Sequence, residues 1–332
     1  MAEETDVEVA IASFEELMEL EKEFEDVEVE IIRQQVALSK PLYEKRAKLI
    51  PKIDNFWALV FEQAPPDLDQ YIQPTDSEVL LSSLKSLSVS HFEIEDGGKG
   101  DPRSVSIKLE FADNEWFEDK VLEKKFWYRL SKDGDAGLVS EPVPIKWKSP
   151  EKDLTQGISD LVLKVWENNK KQGPSDSTKI KKEKDYTPDE KALKEKIEKT
   201  GLGGFSFFCW FSYRGLNVSE EESKVAWEKE QKERAARAAG EIPDLKEVDE
   251  EEEEDDEEED PYALEVFPDG EEVALAFSDD LWPNAIKYFT QAQELDGSDV
   301  DFEDEDEDEE MGDADEKPKA NGAQPPSKKR KA

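Results

Sequence analysis

The side chains with the greatest capacity for chemistry in this sequence are carboxylates. Asp and Glu number 86 against 44 Lys and Arg in 332 residues, a formal charge of −42 with one His and one Cys. Two runs concentrate them. Asp249 to Asp260 is unbroken acid and includes Glu250, Asp255 and Asp256; the second run holds Asp301, Glu303, Asp304 and Glu310. Like charges at this density repel and do not fold alone. Salt screens them within ~8 Å, so they act on a basic body that comes close. The alternative for the runs themselves is a solubilising tail with no defined client. Without their 21 charges the rest still carries −21, so the ordered part is acidic too.

Other chemistries fail on spacing or residue type. An EF-hand loop needs a glycine at its sixth position, and 301–310 contains none. A Cys/His zinc site cannot be assembled from one Cys and one His. Gly201-Leu-Gly-Gly204 lacks the Lys-Ser/Thr of a phosphate loop and reads as a turn. Cys209 lies inside an aromatic run, where a packed small side chain is expected rather than a nucleophile. His91 closes a strand pattern and reads as structural or surface rather than functional. With so many acids, spacing cannot select a catalytic pair. The expectation is no enzyme, no cofactor and no metal. A polyanion of pI about 4.3 meets DNA weakly or indirectly and does not bind an anionic membrane. One thiol makes no intrachain disulfide, which points to an intracellular protein.

The ends differ in kind. The N-terminus is acidic, unlike a secretory or mitochondrial leader. No apolar run approaches the ~20 residues that span a bilayer. The last residues carry Lys328, Lys329, Arg330 and Lys331 after two prolines, a short basic cluster that reads as a nuclear import signal. A solubilising tail or a contact with the acid runs is the alternative. Nuclear residence, with shuttling to the cytoplasm, is expected.

The elements that must hold these charges begin with a long helix at 13–50, after an expected disordered 1–12. Ser13 with Glu16 forms a capping-box pattern. Leu17, Phe24, Ile31 and Leu38 recur every seven residues, with Leu20, Val27 and Gln34 at the alternate offset, an a/d seam. A helix of ~38 residues spans roughly 57 Å. That is too long to bury one stripe on a small domain, and a second copy is the simplest partner; an intramolecular helical hairpin is the alternative. Pro41 interrupts the pattern. Residues 51–155 then read as a short apolar helix, a second short helix at 78–84, and strands at 87–91, 105–111, 121–130 and 144–148, with 133–137 as a turn. Residues 156–204 are a polar Lys-rich insert with one amphipathic helix; 205–213 is an aromatic core helix; 214–261 is a charged helix and acidic loop. Residues 262–290 are a final apolar segment, and 291–332 a disordered acidic tail. The fold class is α+β: an antiparallel sheet covered by helices behind a dimerisation helix.

Several segments together resemble the nucleosome assembly protein family of histone chaperones, in its SET (template-activating factor I) branch and a fungal form. They are Pro41-Leu-Tyr-Glu-Lys-Arg-Ala-Lys-Leu-Ile50 with Asn55-Phe-Trp57, Trp116-Phe-Glu-Asp-Lys-Val-Leu122, Ile145-Lys-Trp-Lys-Ser149 with Lys152-Asp-Leu-Thr155, Ser206-Phe-Phe-Cys-Trp-Phe211, and Asp280-Leu-Trp-Pro-Asn284 with Tyr288. The resemblance implies a headphone-shaped homodimer with an α/β "earmuff" at each end. It implies binding of core histones, chiefly H3–H4 and also H2A–H2B, on the acidic underside, without cofactor. By position it marks Glu271, Glu272, Asp279, Asp280 and Ser212 as histone contacts. It also implies a rival reading, inhibition of a protein phosphatase or of histone acetylation by docking or by masking substrate. The inserts at 156–204 and 214–261 depart from the family pattern, which keeps its acids at the C-terminus.

Overall fold

The structure, a computed structural model, describes residues 2–172, 181–201, 204–238, 260 and 262–298. Residues to Ala292 form one compact unit; a second begins at Gln293, of which the helical residues to Ser298 are described.

Helix α1 runs Ala2–Leu49. It starts ahead of the Ser13 capping box, so 1–12 is helical from Ala2 rather than disordered; the acidic sequence of the first turns suits the positive end of the helix dipole. It also continues through Pro41, although an interior proline costs a helix about 3 kcal/mol. Two faces diverge along it. Leu17, Leu20, Phe24, Val27, Ile31 and Leu38 are all exposed, Leu38 to 75%. Gln34 shares that face, its amide donating to Glu30 at 3.1 Å. A second stripe at 3–4 spacing (Lys22, Glu25, Val29, Ile32, Val36, Ser39, Tyr43) is partly covered, and Arg46 alone among the described side chains of α1 is buried.

After a 3-10 turn, α2 (Phe56–Glu62), α3 (Pro66–Asp69) and α4 (Pro74–Ser83) carry apolar side chains into the core. Asp76, in the first turn of α4, is buried. Its carboxylate accepts from the Gln73 N–H at 3.0 Å, the Ser206 hydroxyl at 2.5 Å and the Phe207 N–H at 2.7 Å. One side chain thus caps a helix and fastens a segment 130 residues away.

The sheet is a four-stranded antiparallel meander, β1 (Leu84–Ser90), β2 (Val105–Phe111), β3 (Val121–Leu130) and β4 (Ala136–Ser140), in that order. Ile107 and Leu109 of β2 and Leu122 and Phe126 of β3 are buried, and pairing fixes them in register, Leu109 opposite Leu122 and Val105 opposite Phe126. The fourth strand is not at 144–148. The tight turn at Gly134 (φ +95°) sets Ala136 opposite Leu130, so pairing resumes at once, and Pro142 and Pro144 lack the N–H a ladder needs. Residues 144–148 make only a bridge, Trp147 against Phe117.

Helices α5 (Ile158–Gln172) and α6 (Pro188–Thr200) pack on each other. Only α5 is foreshadowed by its apolar stripe. α6 is announced by Thr187-Pro-Asp-Glu190, a capping box with proline at the first helical position, and the Glu190 N–H donates to the Thr187 hydroxyl at 3.3 Å. The aromatic core helix expected at 205–213 is a 3-10 turn, Phe207–Ser212, buried on all sides. Trp210 stacks on Phe126 and donates its indole N–H to the Gly270 carbonyl at 2.9 Å. Gly270 must be glycine here: a Cβ would lie 2.3 Å from the Tyr213 ring. The charged helix appears as α7 (Glu220–Ala238). Then α8 (Gly270–Leu275), a π-turn (Ala276–Leu281) and α9 (Ala285–Ser298) close the described chain. α9 outlasts the expected boundary at 290.

Candidate acidic binding surface

Residues 260–286 contain no Lys or Arg, and their acids are Asp260, Glu265, Asp269, Glu271, Glu272, Asp279 and Asp280. The fold decides which of them face outward. Pro283 shapes the region: it has no N–H, and its ring would crowd the carbonyl four residues back. The chain widens just before it, the Trp282 N–H reaching the Phe277 carbonyl at 3.0 Å, five residues earlier. Such π-bulges recur at functional sites. Leu281 and Trp282 turn inward, Trp282 stacking on Trp57 at 5.9 Å, while Asp279 stays exposed and Asp280 half-buried.

Asp280 is held in place. It accepts from the Asn284 amide and the Tyr288 hydroxyl, each at 2.9 Å. Across the surface the Tyr71 hydroxyl donates to Asp269 at 2.8 Å. Burial and carboxylate neighbours raise both phenols. Tyr288 is pushed up to about 12, by burial first and then by Asp280 and Asp67. Tyr71 is raised by burial first, then by Asp269, Glu272 and Asp67. Asp67 of α3 therefore acts on both tyrosines and joins two acidic clusters into one field. Three helical elements, α3, α8 and the π-turn, carry these carboxylates, and the Tyr71 and Tyr288 hydroxyls are donors to them. Such a concentration of carboxylates attracts cationic side chains. Among the described residues no group of acids is arranged to hold a metal ion.

The residues marked in the sequence separate here. Glu272 and Asp279 are exposed, and Asp280 is at the surface. Glu271 serves the fold instead. Its carboxylate accepts the Leu138 N–H at 3.1 Å, and burial raises its titration. Ser212 is 1% exposed and hydrogen-bonded to the Ser159 hydroxyl at 2.6 Å. It is a core residue, not a contact, because the aromatic turn that carries it is enclosed on every side. Asp67, Asp269 and Tyr71 escape a sequence reading: Pro65-Pro-Asp-Leu-Asp69 is a helix start with acid in its first turn, and nothing local singles out those acids among 86. Asp260 is exposed, accepting from the Tyr262 N–H at 2.8 Å. Asp249, Glu250, Asp255, Asp256, Asp301, Glu303, Asp304 and Glu310, and the basic Lys328, Lys329, Arg330 and Lys331, lie outside the described residues.

Behind this surface sits Arg46. Its guanidinium lies 4.0 Å over Trp282 and 4.7 Å over Tyr43, and one nitrogen donates to the Trp282 carbonyl at 2.6 Å. Burial lowers its titration to about 10. The last turns of α1 are thereby pinned to the turn that presents Asp279 and Asp280.

The nucleosome assembly protein family model matches residues 50–292, which hold the whole sheet and every helix of this surface. The chain belongs to the nucleosome assembly protein family. A Schizosaccharomyces pombe protein named for nucleosome assembly is 30% identical over 303 residues, 88% of this chain and 85% of that one. Drosophila melanogaster protein SET is 34% identical over 136 residues, 40% of this chain and 46% of its own length. A crystal structure of the Vps75 histone chaperone aligns with a TM-score of 0.47 at 23% identity, covering 85% of this chain and 98% of that one. The family match begins at Ile50, so α1 lies ahead of it.

Proposed function

We propose that this chain is a histone chaperone of the SET-like branch, acting as a homodimer that shields core histones, chiefly H3–H4, from nonspecific contact with DNA. The observation that carries the reading is the acid-rich face built from Asp67, Asp269, Glu272, Asp279 and Asp280 on a family scaffold. Free histones bind DNA tightly because each phosphate contact releases counterions. A dimer of formal charge −84 offers competing anions, occupies the incorrect contacts and yields to the deposited geometry. Two sites on one particle raise the effective concentration of each. The basic C-terminal cluster supports nuclear import.

The exposed seam of α1 supports the dimer. A row of seven-residue-spaced Leu, Phe and Ile left in water is costly for a lone chain. The helix is also electrically lopsided. Residues 2–30 contain thirteen acids and one Lys, whereas 31–52 contain six basic residues and Glu44. Antiparallel pairing sets each acidic half against a basic half; parallel pairing would stack acid on acid.

The test is binding of H3–H4 and H2A–H2B by the full chain across a salt series, beside a variant carrying D67N, D269N, E272Q, D279N and D280N. Affinity is expected to fall steeply with salt, and the variant to bind at least tenfold more weakly with a shallower slope. Binding that is indifferent to salt, or unchanged in the variant, would refute this surface as the site.

A further inference from the structure

The charged helix α7 belongs to the insert by which this chain departs from the family pattern, and the acidic surface does not use it. Its near end is built into the body. The Leu130 N–H donates to the Ser223 hydroxyl at 3.0 Å, Arg129 donates to the Val218 carbonyl at 2.7 Å, and Ala226 is buried. Its far end has nothing apolar to bury: after Trp227 the helix reads Glu-Lys-Glu-Gln-Lys-Glu-Arg-Ala-Ala-Arg-Ala238. A stretch of eleven residues does not stay helical in water unaided. It is held by α1. Arg234 spans Glu19 at 3.0 Å and Asp26 at 2.9 Å, and Arg237 approaches Glu19 at 3.7 Å and Glu230 of its own helix at 3.9 Å. Glu19 and Asp26 are one heptad apart, on the same line of α1 as Arg33, which donates to the Gly100 carbonyl at 2.7 Å.

We propose that α7 is a strut with an ionic latch, Arg234 and Arg237 on Glu19 and Asp26, that fixes the direction of the dimerisation helix relative to the α/β body and opens when salt or a competing polycation screens the pairs. The latch and Arg46 grip α1 at points roughly 40 Å apart along its axis. Between them Arg33 supplies a third polar tie, and Arg46 is the one buried side chain of α1 from Leu17 onward. Over 19–33, where its apolar side chains are at most partly covered, α1 is tied by cations, and such a hold is conditional. Ion pairs in which one partner, Asp26, is largely exposed are weakened by salt on the scale of the Debye length. The latch rests on the homodimer reading only for its consequence: through α1 it sets the angle at which each acidic surface is carried. Its own contacts lie within one chain.

Hydrogen exchange of the full chain tests it. Amides of 228–238 are expected to exchange at least tenfold faster in Arg234→Glu/Arg237→Glu than in the parent at about 50 mM salt, where the Debye length exceeds 10 Å. Amides of α5 should stay unchanged. Lys229→Glu/Lys232→Glu changes the net charge of α7 equally without touching the latch and should leave exchange in 228–238 near the parent value. Adding Glu19→Arg/Asp26→Arg to the reversed arginines should restore protection. Raising salt to about 500 mM should open the parent alone, which reads the latch even if the reversed variant folds poorly. Equal exchange in parent and reversed variant, or no rescue by the swapped pair, overturns the proposal. A monomeric mass would refute the dimer reading and leave the latch readable.

Discussion

Lys124 satisfies polar groups that the core buries. It points inward from β3, fully buried, and its ammonium donates to three carbonyls, Glu141 at 3.1 Å, Phe211 at 3.0 Å and Tyr213 at 2.9 Å. Those acceptors tie the strand to the aromatic turn and to the chain leaving β4. Burial pulls its titration down to about 7, with Glu265 and Glu141 drawing it back up. The folded value is below the unfolded one of about 10.4, so between them the unfolded chain holds more protons. The contribution of this group to stability therefore rises with pH above 7, by up to about 1.4 kcal/mol per unit. Chemical denaturation between pH 7 and 9 should show that rise in the parent and lose it in Lys124→Met. The same substitution takes a donor from three carbonyls, of which Phe211 keeps the Val143 N–H at 2.8 Å and Glu141 the Ser140 hydroxyl at 3.4 Å, and should cost about 1–3 kcal/mol at neutral pH. A variant as stable as the parent would show that the carbonyls find other partners.

The elements are unevenly legible in the sequence, for reasons that differ by element. The seam of α1 is readable because periodicity survives without tertiary context: Leu17 to Leu38 repeat at seven whatever lies beside them, and all remain at the surface. A charge at Phe24 or Ile31 would be desolvated in a paired seam. Phe24→Asp/Ile31→Asp is therefore expected to sediment as a monomer with its α/β body still folded; a persisting dimer would place the interface elsewhere. The fourth strand is misplaced by sequence because alternation at 144–148 outweighs the rule that a tight turn restarts pairing at once. α6 is easily overlooked because its capping box precedes a lysine-rich helix with few apolar positions, Leu193 being buried. The acidic surface is half legible. Asp279 and Asp280 stand beside a recognisable Trp-Pro pair, whereas Asp67 and Asp269 gain meaning only when α3 is brought against the π-turn. Ser212 misleads because its neighbours in sequence give no hint that the turn is sealed on all sides.

At the scale of the whole molecule, charge is layered. The described body presents a fixed acidic face, and runs 249–260 and 301–310 add density along the chain. A variant lacking 249–260 and 296–316 is expected to retain partial histone binding, measured by titration at moderate salt, with a reduced salt slope because fewer anions take part. Complete loss would assign the binding to the runs alone. The edge of β4 matters at this scale as well. The Glu271 carboxylate covers the Leu138 N–H, the Tyr213 hydroxyl covers the Leu138 carbonyl at 3.1 Å, and the Ser140 N–H reaches the Arg214 carbonyl at 2.7 Å. Gly137 leaves room for that carboxylate, since a Cβ would stand 3.1 Å from it. A stranger's extended segment finds the rungs at Leu138 and the Ser140 N–H already taken. For a particle that gathers adhesive polypeptides at high local concentration, an edge occupied in this way disfavours the strand-on-strand growth by which temporary custody would turn into fibrils.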